Sequence, residues 1–242
     1  MNQPRIHVII PAYNEEERIG RTLARMYEYF EQVDYSYEVT VVSDGSTDST
    51  VKLVNEFGKT HPHFHLLESQ PNKGKGFVVR KGMLECQGDW LLLSDADLAT
   101  PIEEVEKLWK YAEQDIPIII GSRPLKESNL EIRQPKWREM LGRAFNKAVQ
   151  IMAIRGIQDT QCGFKLFKND TAKLIFEKCT LPGFGYDFEC LMIGRDLGIK
   201  IAEVPIRWSH QEGSKVRVLR DGTRMLRDLV ILRMKGRRGR IQ

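Results

Sequence analysis

No stretch of this chain approaches the roughly 20 consecutive apolar residues that a membrane-spanning helix needs. The N-terminus shows no signal-peptide pattern, because the apolar run Ile6 to Ile10 is short and ends at Pro11. There are only four cysteines, Cys86, Cys162, Cys179 and Cys190, without CxxC spacing or a histidine partner pattern. That excludes a disulfide frame and a zinc site, and reduced thiols in a cytoplasmic chain are expected. Neither the dinucleotide fingerprint GxGxxG nor the phosphate loop GxxxxGK[ST] occurs, which argues against a dehydrogenase or a P-loop NTPase. Repeats and low-complexity segments are lacking as well. The formal charge is only +4, and no nucleic-acid partner is expected. That charge is uneven: from Lys215 onward there are ten Lys or Arg against two Asp, so the rest is acidic overall. An anionic partner is expected at the C-terminal end.

What the chain does have is centred on Trp90-Leu91-Leu92-Leu93-Ser94-Asp95-Ala96-Asp97. An apolar run of strand length reads as a buried strand of a parallel sheet. Its two closing carboxylates then lie at the strand's carboxyl end, where open α/β sheets place their ligand crevice. Two unpaired carboxylates make poor core material. They suit a hard divalent cation, which takes one or two carboxylates together with phosphate oxygens. A second reading shares the same residues: Asp97, or Thr100 before Pro101, opens the next helix as its N-cap.

Strands are expected at Ile6–Ile10, Glu38–Ser43, Phe64–Leu67, Trp90–Ser94 and Pro117–Ile120, alternating with helices at about 15–31 and 48–59, one that the loop Pro71–Gly76 opens and that reaches Cys86, and one at 102–114. Single helices between strands mean right-handed crossovers and a mostly parallel sheet covered on both faces, so the class is α/β. Polar turns follow four of these strands: Pro11-Ala12-Tyr13-Asn14-Glu15, Asp44-Gly45-Ser46-Thr47-Asp48, Asp95-Ala96-Asp97 and Gly121-Ser122-Arg123. Each alone has a plain account as a turn, a cap or a solvated charge. Together on one sheet edge, they look like a site for a nucleoside diphosphate and a metal. Beyond residue 121 a charged loop spans 124–135, a helix is expected over about 136–154, and a short strand enters at 159–167. Helices at 169–179 and from about 187, a strand at 200–208 and a helical tail from 216 complete the pattern.

In this order the motifs resemble the GT-A fold, family-2 glycosyltransferases, in particular dolichyl-phosphate glucosyltransferases and bacterial polyprenyl-phosphate relatives. The resemblance rests on Ile10 to Glu15, Asp44 to Asp48, Asn72-Lys73-Gly74-Lys75-Gly76, Asp95-Ala96-Asp97 and Gly121-Ser122-Arg123. Asp159 to Phe167 and Glu212-Gly213-Ser214-Lys215 look like the glucosyl branch, as does Ala99 where mannosyl relatives carry Gln. It implies a Rossmann-like GT-A domain over residues 1–214, with a basic amphipathic helix over 215–242. The implied reaction is inverting transfer of a hexose from UDP-glucose to a polyprenyl phosphate, with Mg²⁺ or Mn²⁺. Pro11, Tyr13 and Glu15 would line the nucleoside pocket, Asp44 would accept from the base, and Lys75 would sit near the donor. Asp97 would ligate the metal, Asp95 the metal or the donor ribose, while Arg123 and Lys215 would meet phosphate. Asp159 stands in the place of a base, orienting as much as deprotonating. Arg138 is a further candidate for the acceptor phosphate and His210 for the metal shell; a solvated helix charge and a structural imidazole are the alternatives.

The tail places Val218, Gly222, Met225, Leu229 and Leu232 at helical spacing, with Leu219, Leu226 and Val230 beside them and arginines opposite. Such a helix lies on an anionic membrane surface, or packs on its own domain or a second subunit. The expected location is the cytoplasmic membrane face, reached directly or through a membrane-anchoring partner protein. Rival readings are GDP-mannose as donor, a glycan hydroxyl as acceptor, and an inactive scaffold on a membrane.

Overall fold

The computed structural model describes residues 5–132, 147, 149–151, 154, 156–211 and 218–238. In chain order the elements are β1 (Ile6–Ala12), α1 (Ile19–Phe30), β2 (Tyr37–Asp44), α2 (Thr50–Thr60), β3 (Phe64–Ser69), α3 (Lys75–Glu85) and β4 (Trp90–Leu93). A 3₁₀ turn at Ile102–Glu104 then leads into α4 (Val105–Ala112), β5 (Ile118–Ser122) and β6 (Asn129–Ile132). After these come β7 (Lys165–Lys168), α5 (Asn169–Lys178), α6 (Tyr186–Asp196), β8 (Ile201–Pro205), β9 (Arg207–Ser209) and α7 (Val218–Arg238).

Among the described residues, seven strands form one sheet in the order β3-β2-β1-β4-β7-β5-β8. Every residue of β1 is buried, as a central strand covered on both faces requires. Its side chains alternate between two cores. Ile6, Val8 and Ile10 join α1 and α4, whereas Ile9 joins a second cluster with α3, α5 and α6. The chain builds outward from β1 to β3 and then returns to place β4 on the other side of β1. That reversal opens a crevice at the carboxyl ends of β1 and β4.

The sheet is parallel except for β7, which runs antiparallel between β4 and β5, with Leu93 opposite Lys165 and Ile118 opposite Phe167. This reversal matters for the site. An antiparallel strand has its amino end where its neighbours have their carboxyl ends, so residues 159–164 arrive at the crevice.

Two expectations change. The run 200–208 is two strands: β8 extends the main sheet beside β5, and β9 pairs with β6, which lies inside the segment expected to be a loop. Pro205 closes β8 and Ile206 alone separates it from β9; proline cannot continue a ladder as donor. Most of the helix expected at 136–154 lies outside the described residues. In α7, Met225 and Leu229 are buried in the domain's second core and Leu232 packs against it. Leu226, Val230, Ile231 and Met234 remain exposed. The apolar stripe centred on Met225 and Leu229 therefore faces the protein, and a second apolar row faces outward.

Candidate active site

The turns after β1 and β2 are laced into one wall. The Asn14 amide donates to Ser46 Oγ (3.0 Å), the Thr47 amide to Asn14 Oδ1 (2.8 Å) and the Glu15 amide to Thr50 Oγ1 (2.7 Å). Pro11 is buried inside β1, and Tyr13 stands 39% exposed on the wall. Glu15 pairs with Arg18 Nε at 2.5 Å, and Arg18 Nη1 also lies 3.8 Å from Asp97 Oδ2. Arg18 was not among the sequence candidates; it lies in the last turn before α1, where an arginine carries no motif.

Asp44 closes β2 and is buried. Its two oxygens accept the Lys73 and Gly74 amides at 2.8 Å each, and Asn72 Nδ2 donates to the Asp44 carbonyl at 3.0 Å. The carboxylate clamps the loop that opens α3. Gly74 adopts φ +106°, and a Cβ there would come within 2.4 Å of the Pro182 carbonyl oxygen, so only glycine suits this junction.

Lys75, the first residue of α3, reaches across to Asp95, with Nζ 2.6 Å from Oδ1. Burial alone would lower the Lys75 pKa, but Asp95, Asp187 and Asp97 outweigh it and hold the ammonium above its ordinary value. Asp97 Oδ1 accepts the Ala99 amide at 3.0 Å, and the Ala99 carbonyl accepts the Ser209 amide at 2.8 Å, tying β9 to this turn. Burial, and next the charge of Asp95, push the Asp97 carboxyl above the usual range. Asp95 lies directly over Gly163: a Cβ on Gly163 would fall 1.9 Å from Asp95 Oδ2. Asp95 and Asp97 feel each other's charge, and two such carboxylates suit a divalent cation. Among the described residues no group of three or more His, Cys, Asp or Glu could hold a metal ion. Asp95 and Asp97 offer two carboxylates, and a hard divalent cation takes one or two carboxylates together with phosphate oxygens.

Arg123 and Asp159 form the other end of the crevice and bind each other. Arg123 Nε and Nη2 donate to Asp159 Oδ2 and Oδ1 at 2.6 and 2.9 Å, a bidentate pair. The Arg123 and Gln161 amides also donate to this carboxylate, at 3.1 and 3.2 Å. Asp159 is fully buried. Burial would raise its pKa, but the Arg123 charge and hydrogen bonds prevail and hold it below the usual range. Glu203 on β8 supports the pair, accepting the Asp159 and Gln158 amides and the Ser122 hydroxyl at 2.7–2.9 Å. The Arg123 guanidinium lies 5.6 Å from the centroid of Trp208, a β9 residue, and Trp208 stacks on His210.

Beneath this floor Lys165 is fully buried, donating to the Cys162 carbonyl (2.6 Å) and to Asp187 of α6. Asp187 and Lys165 carry no signal in the sequence, because each sits in an apolar run that reads as core. Lys215 and Arg138 lie outside the described residues.

The geometry thus gathers Tyr13, Glu15, Asp44, Lys75, Asp95, Asp97, Arg123 and Asp159 along one sheet edge, and known proteins are similar to the chain in sequence and in fold. Residues 7–176 match the family Glycosyl transferase family 2. The dolichyl-phosphate beta-glucosyltransferase of Drosophila melanogaster is 37% identical over 240 residues, covering 94% of this chain and 74% of the relative. That of Dictyostelium discoideum is 35% identical over 242 residues, covering 95% and 74%. Among solved structures, glucosyl-3-phosphoglycerate synthase from Mycobacterium tuberculosis with Mn²⁺, UDP and glucosyl-3-phosphoglycerate superposes with a TM-score of 0.72 at 19% identity, covering 95% of this chain and 80% of that one. The same enzyme with Mg²⁺ and UDP gives 0.71 at 19% identity, covering 95% and 79%. At that identity the likeness speaks for the GT-A fold. The chain is a glycosyltransferase and belongs to glycosyl transferase family 2, among the dolichyl-phosphate beta-glucosyltransferases.

Proposed function

We propose that this glycosyltransferase moves glucose from UDP-glucose to a polyprenyl phosphate of the dolichyl type at the cytoplasmic face of a membrane. The observation that carries the reading is the Asp95-Asp97 pair at the sheet's switch point, with Lys75, Arg18 and Arg123 around it. The names of the relatives support the acceptor and the sugar. Ala99, where the resemblance places Gln in mannosyl relatives, supports UDP-glucose over GDP-mannose.

In this reading Asp95 and Asp97 hold Mg²⁺ or Mn²⁺. When bound, that ion acts as a Lewis acid that stabilises the charge growing on the departing diphosphate. Pro11, Tyr13 and Glu15 wall the nucleoside, and Asp44 fixes the loop that presents Lys75 to the donor. The accepting nucleophile is a phosphate oxyanion at neutral pH, so little proton removal is required. That suits Asp159, whose oxygens all point to Arg123 and backbone amides: it orients Arg123 toward phosphate. A glycan hydroxyl would need a base, and the buried Asp159 does not offer one. Lys215 is assigned to the phosphates by its motif.

Among the described residues no helix is long and apolar enough to cross a membrane. The exposed row Leu226, Val230, Ile231 and Met234, flanked by Arg224, Arg227 and Arg233, supports α7 as the element that lies on anionic lipid. Each basic residue near such a surface adds about 1 kcal/mol, weakening with salt. The full chain should pellet with phosphatidylserine-containing vesicles in a salt-sensitive manner, and a Leu226→Ser, Val230→Ser, Met234→Ser variant should stay in solution. Equal pelleting of the two would move the attachment to another surface or to an anchoring partner protein.

The activity is tested by incubating the chain with radiolabelled UDP-glucose or GDP-mannose, Mn²⁺ and dolichyl phosphate, and counting label in the lipid phase. Labelled lipid from UDP-glucose is expected; labelled lipid from GDP-mannose alone would reverse the donor. In the same assay Gly163→Ala should lose roughly 100-fold in rate, because an ångström-scale shift of a reacting group costs about that much. The 1.9 Å approach leaves Asp95 no room beside a Cβ. A rate within about twofold of wild type would show that Asp95 can move without consequence.

A further inference from the structure

Lys75 occupies a position that helix electrostatics disfavour. It is the first residue of α3, with no acidic residue in that helix's first turn. A helix amino end carries partial positive charge, so a cation there is repelled and an anion is welcome. Its backbone nevertheless has little freedom. Asp44 holds the Lys73 and Gly74 amides, and the Phe77 amide donates to the Pro182 carbonyl at 3.1 Å. On the other side, Gly74 and Gly76 press on backbone atoms of 181–183. Only the long side chain can move, and it points its ammonium at Asp95 Oδ1, 2.6 Å away. The pair is partly open to solvent, with the two side chains 26% and 34% exposed. A lysine there places one positive charge on a carboxylate that is half of the acidic pair.

We propose that Lys75 is a resident counter-ion of that pair: it neutralises Asp95 while the donor site is empty, competes with the divalent cation, and passes to the donor's diphosphate oxygens when metal and donor enter together. The inference rests on the metal-and-donor reading above. In the empty crevice the ammonium satisfies Asp95 and weakens binding of a bare metal ion. A nucleoside diphosphate supplies new oxygens for both cations, the ammonium and the metal, at the amino end of α3. Metal and nucleotide therefore bind with positive coupling, and Lys75 adds to it. In this role Lys75 is a positioning and ordering residue of the donor site.

Mn²⁺ binding measures this without any turnover, by the loss of free-Mn²⁺ paramagnetic resonance signal on titration, with and without UDP. Lys75→Gln removes the competing charge and should bind Mn²⁺ alone about tenfold or more tighter than wild type. UDP should then strengthen Mn²⁺ binding by a smaller factor in Lys75→Gln than in wild type. Lys75→Arg keeps the charge and should keep the wild-type pattern. Equal or weaker binding of Mn²⁺ alone by Lys75→Gln, or tighter binding by Lys75→Arg as well, would overturn the proposal. If wild type binds no Mn²⁺ even with UDP, the metal reading falls with it. If wild type binds Mn²⁺ with UDP but Lys75→Gln is unchanged, only the role of Lys75 falls.

Discussion

Replacing Asp97 by Asn is expected to lower glucosyl transfer by about a thousandfold or more, the scale on which removing a transition-state charge stabiliser acts. Its folding should be undisturbed. The new side-chain carbonyl can still accept the Ala99 amide, and the Arg18 contact it gives up is a loose one at 3.8 Å. The direction of the Asp97 shift supports this. Burial and Asp95 raise its folded-state pKa above the unfolded value. A carboxyl shifted that way contributes stability below its unfolded pKa and loses it as pH rises through the folded one. At neutral pH, without metal, the Asp97 charge therefore burdens the fold, and the Asp97→Asn change removes the burden. The variant should melt at or above the wild-type temperature at pH 7 and lose less stability as pH rises from the acid range. Mn²⁺ with UDP should raise the wild-type melting temperature and leave the variant unmoved, by the linkage between binding and stability. Wild-type turnover of the variant in EDTA would remove the metal from the mechanism.

The strand-then-carboxylate pattern at Trp90 to Asp97 is legible because burial and charge change sharply within a few residues, and only a sheet edge accommodates that change. The same holds for the turns after β1, β2 and β5. Where side chains converge from distant positions, local pattern is silent. The antiparallel β7 looks like any short apolar strand, yet its direction brings Gly163 onto Asp95 and Asp159 behind Arg123. Lys165 and Asp187 are 22 residues apart in sequence and lie in apolar stretches, so their pairing appears only when β7 and α6 are packed. Glu203 carries no motif of its own within its strand, but its carboxylate binds the amides at 158 and 159. The split of 200–208 into β8 and β9 hides in one continuous run of strand formers, where Pro205 is its single mark. On α7 the periodicity is clear, and the choice between inward and outward stripes needs the core that Met225 and Leu229 enter.

Asp159→Ala should cost about 3 kcal/mol of stability, the lower part of the range for breaking a buried ion pair. The lower part applies because the Arg123 side chain is 28% exposed, so water recovers some of its lost partner. For a chain of this size that corresponds to a fall of roughly 6–12 °C in melting temperature. A residue acting only as a base would behave differently, since its removal reduces turnover and leaves the melting temperature in place. The pH profile separates the two roles further. Arg123 lowers the folded-state pKa of Asp159, so its contribution is present above the unfolded carboxyl pKa and is lost as pH falls through the folded one. Wild type should therefore lose this stability on acidification, and the gap between it and Asp159→Ala should narrow in acid. Pairing the change with Arg123→Leu completes the argument. Once the arginine is gone, removing Asp159 no longer strands a guanidinium, and the double variant should be less destabilised than the two single losses added together. Strict additivity of the two would show that Asp159 stabilises the crevice through the backbone amides at 123 and 161 alone. In that case Arg123 would be oriented by Trp208.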